Sequence, residues 1–206
     1  MLEAVNLGCV RGNRRLFSAL NFSLQPGSLL QITGPNGSGK TSLIRILSGL
    51  LTPSEGEVRW QGTKTRSLGD EYRKSVAYVG HRNGIKDELS AVENLRVASG
   101  LSGIDLSAAK AHAALEKMGL GAESDLATRH LSAGQRRRAA LARLLISDSK
   151  LWLLDEVLTS LDAEGARVTQ QMISEHLGKD GIAVVATHQD LTLSAGSMQR
   201  LRMDRE

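Results

Sequence analysis

The 206-residue sequence has one cysteine, Cys9, only three prolines and only 3% aromatic residues. A single thiol excludes a disulfide scaffold and suits a reducing compartment. With Phe17, Phe22, Trp60, Tyr72, Tyr78 and Trp152 as its only aromatics, the chain must build its core from Leu, Val, Ile and Ala. Long apolar runs are missing too. The longest uncharged stretch, residues 16–39, is broken by Pro26, Gly27, Pro35 and several polar side chains, whereas a membrane-spanning helix needs about 20 largely apolar residues. The opening residues carry Glu3 and lack a basic start followed by an apolar stretch, so no secretory signal is expected and cytosolic residence is. Nor does one sign of charge dominate. There are 26 Lys and Arg against 22 Asp and Glu, a net charge of +4. That balance suits a polyphosphate ligand or an anionic membrane face, and no nucleic-acid partner is expected from it.

What is present, 41% hydrophobic and 23% charged residues, suffices for one folded unit with at most a small inserted lobe. The N-terminal fifth predicts short strands at Leu2 to Val10, Leu20 to Leu24 and Ser28 to Thr33, separated by Gly12-Asn13 and Pro26-Gly27. The pattern then changes. Leu43, Ile46, Leu47 and Leu50 share one helical face in the run from Lys40 to Leu50. Further strands are expected at Gly56 to Gln61 and Val76 to Val79. Helices are expected at Ser90 to Ala98, Ser107 to Met118 and Ala133 to Ile146. Leu151 to Leu154 and Ile182 to Ala186 are apolar runs without alternation, the mark of parallel strands buried on both faces, with a helix from Ala163 to Leu177 between them. No repeat or low-complexity tract appears. The pattern predicts an α/β core with a helical insertion.

Between the third strand and the first helix lies Gly34-Pro35-Asn36-Gly37-Ser38-Gly39-Lys40-Thr41, a complete G-x-x-x-x-G-K-[ST] motif. Its glycines let successive backbone N–H groups turn inward around a phosphate, and the loop opens onto a helix N-terminus whose partial positive charge favours an anion. Lys40 is placed to reach the β- and γ-phosphates of ATP, and Thr41 to offer its hydroxyl to Mg²⁺. A second anchor is the strand 151–154, which ends in Asp155 and Glu156. A carboxylate at a strand's C-terminal end suits a magnesium site, here Asp155, and its neighbour Glu156 suits a base that polarises the attacking water.

The segment from Lys40 to Asp155 decides the class of nucleotidase. It contains Leu131-Ser132-Ala133-Gly134-Gln135, followed by Arg136, Arg137 and Arg138. Here the sequence resembles the ABC-type ATPase family, whose signature reads LSGGQ, and the resemblance runs over nearly the whole chain. Ser160-Leu161-Asp162 looks like the family's D-loop, and Thr187-His188 like its switch histidine. The resemblance implies a P-loop NTPase of ABC type: a mixed sheet core with an N-terminal antiparallel β part and a helical signature subdomain. It implies a single cassette, with residues 1–84 and 147–206 as nucleotide-binding core and 85–146 as helical subdomain. It also implies that two copies form a head-to-tail homodimer. ATP is then held between Lys40 and Asp155 of one copy and the signature of the other, Ser132 and the Gly134 N–H above all, while His188 contacts the γ-phosphate.

Departures from the family pattern are as specific as the matches. Where the family has a glutamine after the strand near residue 80, this sequence reads Gly80-His81-Arg82, and His81 or Arg82 fills the slot according to register. An imidazole accepts or donates a hydrogen bond and charges on mild acidification, whereas a guanidinium is always cationic and cannot ligate Mg²⁺. His81 is therefore assigned the role, with ATPase activity expected to fall in acid. The aromatic that stacks on adenine in the family is replaced by Arg11-Gly12; Arg11 either stacks through its guanidinium plane or leaves the base loosely held. Val157 stands where a proline commonly follows the glutamate. Ala133 replaces a signature glycine, harmless if the residue is helical and costly if it needs a positive φ. Three consecutive arginines point to different sides of a helix, so Arg136 to Arg138 are expected to be solvated or interdomain rather than a nucleic-acid stripe.

Within the family, the segment from Gly80 to Leu95, the LSAGQRRR run and Thr187-His188-Gln189 resemble the ATP-binding subunits of cytochrome c maturation systems. That resemblance implies a CcmB-like integral membrane subunit in a two-plus-two complex, peripheral attachment at the cytoplasmic face of the inner membrane, and hydrolysis coupled to haem export or release of a haem chaperone. The alternative is the ATPase of another small bacterial ABC transporter. Apolar Ile85, Leu89, Val92 and Leu95 serve either the lobe's own core or a groove for the membrane subunit.

Overall fold

The computed structural model describes residues 1–204, and within them the chain divides into two compact units. The first comprises Met1–Gly80, Ser149–Val157 and the C-terminal part from Ser174; the second comprises His81–Asp148 and Leu158–Ile173.

The first unit holds two sheets. Strands β1 (Leu2–Arg11), β2 (Arg14–Leu24), β4 (Glu55–Trp60) and β5 (Thr63–Lys64) form an antiparallel sheet in the order β2-β1-β4-β5. Strands β3 (Ser28–Thr33), β6 (Val76–Val79), β7 (Leu151–Asp155), β8 (Ile182–Ala186) and β9 (Ser197–Arg202) form a parallel one in the order β6-β7-β8-β3-β9. Every residue of β7 and β8 is buried, as uninterrupted apolar runs in the middle of a parallel sheet require. Helix α1 (Lys40–Leu47) buries Leu43, Ile44, Ile46 and Leu47 in a core shared with Leu30, Ile32, Leu153 and Val184. Two short helices, α2 (Thr65–Leu68) and α3 (Asp70–Ser75), follow β5. Tyr72 of α3 is buried, packs on Trp60 and donates its hydroxyl hydrogen to Leu47 O.

Helix α1 ends three residues before the expected Leu50. Ser48 is its C-cap and donates its hydroxyl to Arg45 O, and Gly49 follows at φ 76, a left-handed stop. Leu50 is left 67% exposed. Strand β2 begins at Arg14, well before the expected Leu20, because its register against β1 continues to the tip, where Arg14 faces Arg11.

The second unit is helical. Helices α4 (Ala91–Leu101), α5 (Ala108–Lys117) and α6 (Ala133–Leu145) pack against one another, and α7 (Ala163–Leu177) contributes its first eleven residues. Ser90 and Glu93 form a reciprocal capping box at the start of α4. Val92 and Leu95 are core residues of this helix, while Ile85 and Leu89 before it are only half-buried. Among the described residues no helix is long and apolar enough to cross a membrane.

Candidate functional site

Register places the chemistry. Ile32 of β3 pairs with Ala186 of β8, and Ala186 pairs with Asp155 of β7. The three strands therefore end level, and three segments leave the same edge of the sheet: the glycine loop from Gly34, the Asp155-Glu156 pair, and Thr187-His188. This is the carboxyl edge where parallel sheets bind ligands. The level edge is pinned by backbone bonds, Thr187 N to Ile32 O at 3.1 Å and Glu156 N to Ala186 O at 2.9 Å.

The loop is shaped for a phosphate. Gly34 has φ 137 and lies so close to Met203 that a Cβ there would sit 2.0 Å from its carbonyl oxygen. Gly37 and Gly39 are also left-handed; a Cβ on Gly37 would meet nothing within 4 Å, so the residue is required by φ rather than by space. Gly39, the N-cap of α1, packs beneath Phe17 and Leu16. Lys40 is buried and folds its ammonium back onto Gly34 O at 2.7 Å and Pro35 O at 3.2 Å. Buried Ser38 Oγ has no hydrogen-bond partner. An ammonium satisfied only by loop carbonyls, an orphaned hydroxyl and a helix N-terminus together fit a polyphosphate. Thr41 Oγ1 donates to Asp155 Oδ1 at 3.2 Å, joining loop and strand end in one oxygen-donor set of the kind magnesium takes.

Glu156 adopts φ 53, an uncommon conformation for a residue with a Cβ, of the sort concentrated at functional sites. His188 is exposed just past Thr187, whose Oγ1 accepts from Gln189 N at 3.1 Å. Buried Gln31 reaches out of β3 to donate to Gln189 O at 3.0 Å, so the β8 exit is held from the neighbouring strand. Arg11 is exposed at the end of β1, paired across the hairpin with Arg14.

The signature residues belong to the second unit. Leu131 is buried there, and Ser132 is the N-cap of α6: its Oγ accepts from Gln135 N at 3.1 Å while its own N–H donates to Gln135 Oε1 at 2.8 Å. The S-x-x-Q spacing of the motif is thus a capping box, and the Ser132 O–H remains able to donate outward. Ala133 is the first helical residue and does not have a positive φ, so the harmless alternative holds. Gly134 has a steric reason, since a Cβ there would approach Ser160 O to 3.1 Å. His81 and Arg82 are both exposed, and the geometry does not choose between them for the glutamine slot.

Two features escaped the sequence reading. Glu123 accepts from Gln135 Nε2 at 3.1 Å, holding the capping box from behind; nothing in a loop carboxylate signals that in advance. The arginine triplet is not solvated. Arg137 is 4% exposed, Arg136 donates to Leu131 O at 2.9 Å, and Arg138 donates to Met118 O and Gly119 O at 3.1 Å, all inside the second unit. The helix directs each guanidinium to a different wall of the same lobe.

A phosphate loop on a parallel sheet, level with a carboxylate pair and accompanied by a capped signature helix, defines an ATPase cassette. The model of the ABC transporter family matches residues 17–159, and the chain belongs to that family. More narrowly, it is 51% identical over 98% of its length to a protein of Nitrosospira multiformis named cytochrome c biogenesis ATP-binding export protein CcmA, 98% of which is covered. A protein of the same name from Dechloromonas aromatica is 48% identical, with 98% of this chain and all of that protein aligned. Among solved structures, the dimeric bacterial ABC transporter cassette MJ0796 superposes with a TM-score of 0.82 at 25% identity, covering 100% of this chain and 97% of that one. A dimeric post-hydrolysis state of the same cassette, bound to ADP and Pi, gives a TM-score of 0.80 at 26% identity, covering 92% and 88%.

Proposed function

We propose that this chain is the ATP-hydrolysing subunit of a membrane ABC complex for c-type cytochrome biogenesis, coupling hydrolysis to haem export or to release of a haem chaperone. The observation that carries the reading is full-length identity near one half to proteins named for that process, together with a phosphate loop, Asp155 and Glu156 set on one sheet edge. The chain works as a homodimer at the cytoplasmic face of the inner membrane, attached to a CcmB-like integral subunit in a two-plus-two assembly. The dimeric state of the superposable cassettes supports the pairing.

Each residue has a role in the proposed reaction. Lys40 leaves the loop carbonyls for the β- and γ-phosphates, and the Ser38 hydroxyl turns to a phosphate oxygen. Thr41 and Asp155 hold Mg²⁺, which when bound neutralises charge on the phosphate oxygens. Glu156 accepts a proton from water as its oxygen bonds to the γ-phosphorus and the bond to the bridging oxygen breaks, giving ADP and phosphate. His188 and His81 contact the γ-phosphate and the water. Ser132 and the Gly134 N–H of the second copy donate to the same phosphate at the positive end of α6, so the site is complete only in a closed dimer. Arg11 lies against the adenine.

The test is size-exclusion chromatography of Glu156→Gln with ATP. The expected result is a stable ATP-bound dimer that wild type, which turns ATP over, does not accumulate. A variant that stays monomeric with ATP bound would contradict the shared site.

A further inference from the structure

Within the second unit, the helix that begins at Ser132 also grips the loop that carries His81. Arg137 reaches from the second turn of α6 and donates Nη1 to Asn83 Oδ1 at 3.0 Å and to His81 O at 3.4 Å. Further along the same helix, Arg143 donates Nη2 to Asn83 O at 3.0 Å. Burial lowers the pKa of the Arg143 guanidinium from its ordinary value. Gly84, at φ 62, closes the loop with its Cα side 3.5 Å from Arg143 Nη1 as measured to the position a Cβ would take. The chain beyond is fastened separately. Asn94 of α4 accepts from Lys86 N at 2.7 Å and donates to Lys86 O, Leu89 O and Ser90 O, and Thr128 donates to Lys86 O at 2.8 Å. Residues 81–84 therefore hang on α6, and residues 86–90 on α4 and the Thr128 turn.

Burying a guanidinium is costly unless its donors are met, and here they are met by loop oxygens rather than at the helix surface. The rigid fork of arginine suits two acceptors at fixed angles, which an ammonium cannot serve equally. We infer that Arg137 and Arg143 are positioning residues that fix the His81–Gly84 loop to α6, so that His81 and the Ser132 end of the signature helix are held as one body. A displacement of the loop then displaces the signature N-terminus with it. The inference rests on the ATP-sandwich reading, in which both groups serve a γ-phosphate.

The experiment uses the purified full chain with Mg²⁺ and ATP, comparing Arg137→Met, Arg137→Lys, Asn83→Ala and the double variant Arg137→Met/Asn83→Ala. Misplacing a phosphate contact lowers turnover, so kcat is expected to fall roughly ten- to a hundredfold in Arg137→Met and in Asn83→Ala, with the ATP dissociation constant unchanged. The double variant is expected to be no worse than the weaker single one, since both break one contact. Arg137→Lys recovers part of the loss. Amide exchange is expected to quicken over residues 81–84 in Arg137→Met and to stay unchanged over 34–41. Wild-type turnover in Arg137→Met, or additive losses with unaltered loop exchange, would overturn the inference. Should Arg137→Met fail to fold, Asn83→Ala decides alone, and wild-type kcat there overturns it. Glu156→Gln serves as reference: if it too retains turnover, the ATP-site reading has failed, whereas an inactive Glu156→Gln beside fully active Arg137 and Asn83 variants refutes this inference only.

Discussion

Glu156 holds its left-handed backbone because both neighbours are fixed, Asp155 in the last rung of β7 and Val157 in full burial, while its own N–H is tied to Ala186 O. The carboxylate is thus aimed by the sheet rather than by a flexible loop. Replacing it by the isosteric amide removes the proton acceptor and keeps the shape, so steady-state ATPase assays of Glu156→Gln should show a loss of roughly two orders of magnitude or more with ATP still bound. Lys40→Ala acts earlier. It removes the ammonium that the loop carbonyls hold ready, and titration with a fluorescent ATP analogue should show weakened binding itself. At Ala133 the direction reverses: the residue is helical, so Ala133→Gly, which restores the family's usual signature, should give no gain in turnover and cost up to about 1 kcal/mol in thermal unfolding. A rise in turnover would mean that the motif needs backbone freedom at that position.

At the scale of elements, the contact between α7 and β7 carries a pH dependence. His176 lies flat on Trp152, ring centroids 3.8 Å apart, with Nε2 donating to Ile182 O at 3.3 Å, and burial lowers its pKa to about 4. An unfolded chain takes up that proton near pH 6.5, so between the two values the unfolded state binds more protons and is favoured. Stability contributed here is present above about pH 6.5 and is lost as pH falls toward about 4. His176→Phe keeps a flat ring on Trp152 and cannot titrate; its melting temperature relative to wild type should rise between pH 7 and pH 4.5, and a constant difference would refute the assignment. The same scale shows which elements were legible in advance. Strands β3, β6 and β8 and helix α7 lie at their expected bounds, because unbroken apolar runs and a 3.6-residue period are local signals. Strand β9 was not legible. Its sequence, Ser197–Arg202, is polar and exposed, and it is a strand only because the edge of β3 offers a backbone ladder, with Ser28 Oγ and Ser197 Oγ 3.0 Å apart at its start. Short α2, α3 and β5 likewise depend on what they pack against. The phosphate loop was readable in full since its chemistry is contiguous, whereas the burial of Arg137 depends on Asn83, 54 positions away in sequence.

The whole molecule is a cassette whose parts make a complete site only with a second copy, and whose cargo is not written in its own residues. The five histidines and Cys9 show no paired ligand spacing, and among the described residues no three His, Cys, Asp or Glu side chains converge to hold a metal ion. What ties this chain to cytochrome maturation is similarity over its whole length to proteins named for that process, beginning with the loop at His81 and the LSAGQRRR run. The assignment therefore makes its sharpest prediction in the cell. The decisive measurement is haem covalently attached to c-type cytochromes in cells whose only copy of this chain carries Glu156→Gln. Loss of that haem, with the variant present in the membrane fraction in normal amount, is the predicted result; normal haem attachment would contradict a role for this ATPase in cytochrome c biogenesis.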